Sequence, residues 1–182
     1  MLKLCAIPLL AIFVLASVCH GQDRTALTQI LKSEKDAAKL VDDLQSYASK
    51  SPWDIEVTSI LAQRLAVKGL NASQIMRTIT ASGDMAAALD ADDEKFAGIV
   101  WLTGLIVKAE SPAPLLYNLE SLGVPAFDLL AETLSRSEQE IRKLAQQDRL
   151  RSEGVFGLLT LNYSTRYKGM AEKLALKRRG NR

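Results

Sequence analysis

Apolar residues recur at every third or fourth position along most of this 182-residue chain. This spacing places them along one side of an α-helix, and it restricts the fold more than any other feature of the sequence. Val, Ile and Thr never alternate with polar residues for long enough to predict a strand. The segments between the helical patterns are short, and helices joined by short loops pack as antiparallel neighbours. We therefore expect an all-α fold, a compact multi-helix bundle of short antiparallel helices.

Prolines, glycines and N-cap residues divide the pattern into separate helices. In chain order, the predicted helices cover residues 27–48, 55–66, 71–82, a short 84–89, 96–107, 115–122, 126–134, 141–147, 153–167 and 170 onward. Ser82-Gly83 is expected to end the third of them. The segment 96–107 is apolar nearly all round, so we expect it to be the central buried helix. No linker separates two domains, so residues 22–182 are predicted to form a single helical domain.

The first 21 residues are predicted to be a signal peptide. Lys3 provides a weak positive charge, and an apolar run follows over residues 5–18. This run is shorter than the ~20 residues that a transmembrane helix needs, and small residues follow it at the place where a signal peptide is cleaved. Cleavage after Gly21 leaves a mature chain that starts at Gln22, so we expect an exported protein, either periplasmic or secreted.

Two alternatives to a cleaved signal peptide remain open. Acylation of Cys19 would make the protein a lipoprotein, although Val18 is bulky at a position where a small residue is preferred. The apolar run would otherwise act as an uncleaved anchor.

Cleavage after Gly21 changes the chemistry that is accessible to the chain. Both cysteines, Cys5 and Cys19, and the single histidine, His20, lie in the removed segment. The mature chain then has no group for a disulfide, a Cys/His zinc site, a thiol nucleophile or a Ser-His-Asp triad. With 23 Lys and Arg against 21 Asp and Glu, and Lys3 removed, its net charge is +1. This near-neutral balance gives no reason to expect nucleic-acid binding, and no cofactor is implied.

Residues 90–94 hold four acids in five positions, which is a pattern that suggests calcium. However, an EF-hand loop that starts at Asp90 needs Gly at its sixth position and Glu at its twelfth. Lys95 and Trp101 occupy those positions. We interpret the cluster as acids at a helix N-terminus, where the macrodipole favours negative charge, and predict no metal site.

Carboxylate pairs that suit general acid/base chemistry, such as Glu132 with Glu138 or Glu110 with Glu120, are not distinguished by their spacing. A polar run over residues 162–168 combines hydroxyls, an amide and cations, which suit a polar ligand or a phosphate. We favour its interpretation as the half-exposed face of a terminal helix.

The tail, residues 173–182, is strongly basic. Cations at a helix C-terminus are favoured by the dipole and are usually solvated. The alternative is a weak contact with an anionic envelope surface, in which each cation contributes ~1 kcal/mol. The residues for such a contact are Lys173, Lys177, Arg178, Arg179 and Arg182.

The aromatic residues are interpreted as core or helix-staple residues. Lys and Arg do not interleave them, as a nucleic-acid stacking platform would require. The residues concerned are Trp53, Trp101, Tyr117, Phe127, Phe156 and Tyr163.

Two parts of the chain resemble the N-terminal domain of phage tail tape measure proteins. One part is Ser51-Pro-Trp-Asp-Ile-Glu-Val-Thr-Ser-Ile-Leu-Ala-Gln-Arg-Leu-Ala-Val-Lys-Gly-Leu70, followed by Ile79-Thr-Ala-Ser-Gly-Asp-Met-Ala-Ala-Ala-Leu89. The other agrees better in order and spacing, and is Leu119-Glu-Ser-Leu-Gly-Val-Pro-Ala-Phe-Asp-Leu-Leu-Ala-Glu132, followed by Glu140-Ile-Arg-Lys-Leu144. The resemblance covers about residues 42–175.

The resemblance implies a non-enzymatic helical domain that takes part in protein assembly, without catalytic residues. A ruler is not expected, because the chain is cut into many short helices. One unbroken helix of the mature chain would reach only ~240 Å at 1.5 Å per residue. The predicted signal peptide also conflicts with tail assembly, which takes place in the cytoplasm. We therefore expect an exported interaction domain that binds another protein or itself. Its predicted surface is formed by Leu115, Leu119, Val124, Pro125, Phe127 and Leu130.

Three other functions remain as alternatives. One is a component of phage or phage-like tail assembly, in which residues 1–20 form an uncleaved hydrophobic segment. Another is a cell-envelope hydrolase that uses a carboxylate pair. The third is a carrier of an apolar ligand.

Overall fold

The computed structural model describes residues 24–180, and all regular secondary structure within this range is helical. The predicted signal peptide, Cys19, His20 and Arg182 lie outside the described residues. The helices are α1 (24–31), α2 (Glu34–Lys50), α3 (Ile55–Val67), α4 (Ala72–Ala88), α5 (Asp93–Ile106), α6 (Ala113–Ser121), α7 (Ala126–Leu134), α8 (Glu138–Gln146), α9 (Ser152–Arg166) and α10 (Met170–Gly180). This confirms the predicted all-α bundle. Between residues 24 and 180, no helix combines the length and apolar character of a membrane span.

Helix α4, and not α5, lies at the centre of the bundle. It packs against α2, α3, α5, α9 and α10, whereas α5 packs against α3, α4, α6 and α9. One side of α5 stays at the surface, where Trp101 and Leu105 are only half-buried. The prediction of a central α5 was therefore wrong. Small residues give α4 its position because neighbouring helices approach them closely, and the buried ones are Ala81, Ser82, Gly83, Ala86 and Ala87.

Gly83 does not end a helix, as the sequence predicted, but lies inside α4. Its Cα packs against the side chains of Tyr47 and Trp53. A Cβ built at this position would collide with the Tyr47 hydroxyl and lie 3.0 Å from the Trp53 Nε1. Glycine is needed here for space, and not for a turn, so α4 continues through it to Ala88.

The first predicted helix, over residues 27–48, is divided into α1 and α2. Lys32 adopts a positive φ of 54°, which interrupts the helical backbone. Ser33 then caps α2, and its side chain accepts a hydrogen bond from the Asp36 backbone N–H at 3.2 Å. Ser33 followed by Asp36 is a helix-start signal that lies inside an otherwise continuous apolar pattern.

Caps and glycines define most of the other boundaries as predicted. Asn71 and Ser137 each form a complete capping box, at the starts of α4 and α8. Asp92 caps α5 by accepting a hydrogen bond from the Lys95 backbone N–H at 2.8 Å. This confirms a helix start for Asp92, Asp93 and Glu94, whereas Asp90, with a φ of 48°, lies in the turn that follows α4.

Candidate functional site

The predicted interaction surface on α6 and α7 is mostly core. Leu119, Val124, Phe127 and Leu130 are buried, so the prediction was wrong for these four residues. Their apolar faces turn inward because α6 packs against α5 and α7, and α7 also packs against α8 and α9. Leu115 and Pro125 are half-buried at the edge of this region.

Arg142 on α8 covers the outer side of the same region. Its guanidinium lies 4.2 Å from the centre of the Phe127 ring and 2.6 Å from a carboxylate oxygen of both Glu120 and Glu138. These two carboxylates raise the pKa of Arg142, and the charge stays in place at all ordinary pH values. This arrangement fastens α8 to α6 and α7.

Of the four carboxylates suggested for acid/base chemistry, Glu120, Glu132 and Glu138 are held in ion pairs, and Glu110 is exposed. Glu120 and Glu138 both form salt bridges with Arg142, and Glu132 forms a bidentate salt bridge with Arg166. The structure therefore gives these three residues fold-stabilising roles.

The polar run 162–168 also has structural partners. The Asn162 side-chain amide donates to the Thr133 hydroxyl at 2.7 Å and to the Leu158 carbonyl at 2.9 Å. With the pair between Arg166 and Glu132, these contacts fasten α9 to α7. This agrees with a half-exposed face of a helix.

The basic tail is partly engaged with the rest of the fold. Arg178 donates to the Ala91 carbonyl at 3.1 Å, and Arg179 donates to the Ser49 carbonyl at 2.7 Å. Lys173 and Lys177 are exposed. Two of the predicted anionic-surface contacts thus fix α10 to the last turn of α2 and to the loop between α4 and α5.

Most of the predicted core aromatics are buried, but Trp101 and Tyr117 are not. Trp53 and Phe96 stack in the core with ring centres 4.2 Å apart. Trp101 is half-buried on α5, and the guanidinium of Arg64 on α3 lies 5.7 Å from its ring centre. Trp101 therefore belongs to a surface.

Helices α3 and α5 lie side by side and run in the same direction. Trp53, just before α3, stacks on Phe96 near the start of α5. Farther along, Arg64, three residues before the end of α3, lies over Trp101, five residues before the end of α5. Close to their ends, the Leu65 side chain occupies the space that a Cβ on Gly104 would need. The two starts are therefore adjacent, and so are the two ends.

The outer side of this pair exposes apolar side chains. Ile60 is 48% exposed and Val67 69% exposed, and both lie on the same side of α3 as Arg64. Trp101 and Leu105 continue the surface on α5. We call this surface the α3–α5 face: Ile60, Arg64, Val67, Trp101 and Leu105. The sequence analysis missed it because helical periodicity does not show which apolar side chains of α3 are covered by neighbouring helices.

The two ends of the α3–α5 face carry charges of opposite sign, acidic at one end and basic at the other. Exposed acids lie at the start of both helices: Asp54, Glu56, Asp92, Asp93 and Glu94. Exposed bases lie toward the other end: Arg64, Lys68 and Lys108. Each end also has one opposite charge nearby in sequence, Lys95 and Glu110. Each helix thus has acids at its N-terminus and a base just beyond its C-terminus, the arrangement that its macrodipole favours.

A cleft of about 520 Å³ lies between α2, α4 and the start of α10. Its carboxylates include Asp84, which accepts backbone hydrogen bonds from Gly169 at 3.1 Å and Ala171 at 3.0 Å. Asp43 is paired with Lys39 at 3.1 Å. Both carboxylates therefore already have partners within the protein. For this reason we consider the α3–α5 face, and not the cleft, as the candidate binding site.

Two tyrosine hydroxyls are buried without a well-formed hydrogen bond. The Tyr163 hydroxyl lies near that of Thr103, and the Tyr47 hydroxyl lies near Ser51 and Trp53. Burial raises the pKa of both tyrosines well above the ordinary value. Both side chains are neutral packing residues at physiological pH.

Within residues 24–180, no three acidic, histidine or cysteine side chains gather in a way that would hold a metal ion. Comparisons with protein-family models, curated proteins and solved structures gave no match. The resemblance to the tape measure N-terminal domain therefore stays a prediction from the sequence.

Proposed function

We propose that this protein is an exported, non-enzymatic interaction module that binds a protein partner or itself through the α3–α5 face. The observation that carries the proposal is the exposure of Ile60 and Val67 beside Trp101, within a surface bordered by charges. Isolated exposed apolar residues are common, but an apolar centre with a charged rim is typical of interaction surfaces. The tape measure resemblance supports the same class of function.

Export is the second part of the proposal, and it depends on residues 1–21. Its alternative, tail assembly in the cytoplasm, requires an uncut chain. The intact mass of the protein from fractionated cells separates the two. A species that starts at Gln22 outside the cytoplasm agrees with export, and an uncut cytoplasmic species would instead favour tail assembly.

Binding at the α3–α5 face is tested by photo-crosslinking in cells that express the full chain. A photoreactive amino acid replaces Val67, and the matched control replaces Gln146, which is exposed on α8. We expect a protein adduct from position 67 and none from position 146. Equal crosslinking at both positions, or none at position 67, would contradict the proposal.

A further inference from the structure

We propose that the partner of the α3–α5 face is a second copy of this chain, related by a two-fold axis. This inference rests on the proposed function of the face and names its partner. It follows from the distribution of charge along two helices that run in the same direction.

The α3–α5 face is electrically polar along its length. Glu56 and Glu94 lie in the first turn of α3 and α5 at one end, and Lys68 and Lys108 lie just beyond the last residue of the same helices at the other end. At 1.5 Å per residue, the acid and the base are separated by ~20 Å on both helices. The acidic and basic ends are therefore too far apart to neutralise each other at physiological salt.

A two-fold axis that lies in the plane of the interface, perpendicular to the two helices, matches these charges with those of a second copy. It turns the second pair of helices to run antiparallel to the first, so that the acidic end of each copy meets the basic end of the other. Each residue pair then occurs twice, as in any isologous interface. The facing helices are then antiparallel, so their macrodipoles attract each other.

The apolar residues lie near the middle of the face, where the two-fold axis has to pass. Trp101 lies midway between Glu94 and Lys108, and Ile60 and Arg64 lie on either side of the middle of α3. The axis therefore passes near Trp101, and each copy covers the apolar centre of the other. A partner with a uniform charge would be attracted at one end of the face and repelled at the other.

The size of the face sets the expected strength. Two adjacent helices of this length offer a strip of about 20 by 20 Å, or roughly 400 Å². A stable interface buries about 800 Å² on each partner. We therefore expect a weak dimer that forms in the micromolar range and dissociates as the salt concentration rises.

Charge reversal tests the inference by sedimentation of the purified mature chain. Glu56→Lys/Asp93→Lys/Glu94→Lys keeps the capping residues Asp54 and Asp92 and, with Lys95, leaves four bases against two acids at the acidic end, so both ends become basic. Lys68→Glu/Lys108→Glu leaves Arg64 against three acids, Glu110 included, so both ends become acidic. We expect each variant alone to self-associate at least tenfold more weakly than the wild type. An equimolar mixture should form a heterodimer, because opposite ends now attract in every pairing. Circular dichroism checks that both variants keep the helical content of the wild type.

Val67→Asp provides a second test, because this exposed side chain is not needed for folding. It should abolish association without changing the helical content. Dimers that survive Val67→Asp, or charge-reversed variants that fail to associate when mixed, would overturn the second copy as partner. A monomeric wild type whose position 67 crosslinks a different protein would overturn the dimer but not the proposed function. If position 67 crosslinks nothing, both fail.

Discussion

At the scale of single residues, Gly83 is the described glycine with the least room for an added Cβ. The space beside its Cα is filled by Tyr47 and Trp53. We expect Gly83→Ala to destabilise the protein by about 1–3 kcal/mol, as overpacked core substitutions do. Urea unfolding at neutral pH measures this cost.

Tyr47→Phe should relieve part of that cost, because the hydroxyl is the atom closest to the added methyl group. The double variant is expected to be more stable than the sum of the single effects, by about 1 kcal/mol. Gly157→Ala is the matched control, since no atom lies within 4 Å of a Cβ at that position in α9. It should be neutral or stabilising by up to about 1 kcal/mol. Additive effects at Gly83 and Tyr47 would contradict the packing explanation.

The two buried tyrosines make stability depend on alkaline pH. An unfolded tyrosine ionises near pH 10.0, whereas burial raises the pKa of Tyr47 and Tyr163 in the folded protein. Above pH 10 the unfolded state therefore binds fewer protons than the folded state, and stability falls as the pH rises.

Tyr47→Phe/Tyr163→Phe removes this contribution. Because neither hydroxyl has a well-formed hydrogen bond, the double variant should stay within about 1 kcal/mol of the wild type at pH 7. It should lose less stability than the wild type between pH 9 and pH 11, as measured by urea unfolding at each pH. If the wild type and the double variant lost the same amount of stability over this pH range, these tyrosines would ionise freely in the folded state.

At the scale of helices, α4 and α8 begin with the same capping box but depend on it differently. Asn71 begins the central helix, which five other helices contact. Ser137 begins α8, a helix whose buried residues are Ile141 and Ala145. A capping residue contributes about 1 kcal/mol in either place.

We expect Ser137→Ala to destabilise α8 alone and Asn71→Ala to destabilise the whole fold. Hydrogen exchange should become several-fold faster in α8 of Ser137→Ala, while the exchange of α4 changes little. Asn71→Ala should lower the global unfolding midpoint instead. If Ser137→Ala accelerated exchange in α4 as much as in α8, the two helices would belong to one cooperative unit.

Helix boundaries followed from the sequence wherever a local signal marked them. The boxes at Asn71 and Ser137 and the glycines after α3 and α6 are such signals. Gly83 was misjudged because a glycine that makes room for Tyr47 has the same appearance in a sequence as one that ends a helix. Only the tertiary packing distinguishes the two roles.

At the scale of the whole molecule, the all-α bundle was predictable, but the candidate site was not. Periodicity identifies the apolar side of each helix without indicating which of those sides are covered by neighbours. Leu119 and Phe127 were therefore expected at a surface and are in the core, whereas Ile60, which was not assigned to any surface, is exposed. The polarity of the α3–α5 face depends on α3 and α5 running in the same direction, which the sequence does not reveal.

Thiol accessibility in intact cells tests the central claim, that an exported chain uses the α3–α5 face to bind protein. The mature chain is predicted to lack cysteine, so Val67→Cys and, as control, Gln146→Cys each introduce a single thiol. A charged maleimide that does not cross the cytoplasmic membrane is applied to cells and to dilute purified protein. We predict labelling of both variants in cells, with the Val67→Cys variant several-fold slower there than when purified and the Gln146→Cys variant unchanged. Failure to label either variant in intact cells would contradict export, and equal rates for the Val67→Cys variant in both settings would contradict an occupied face.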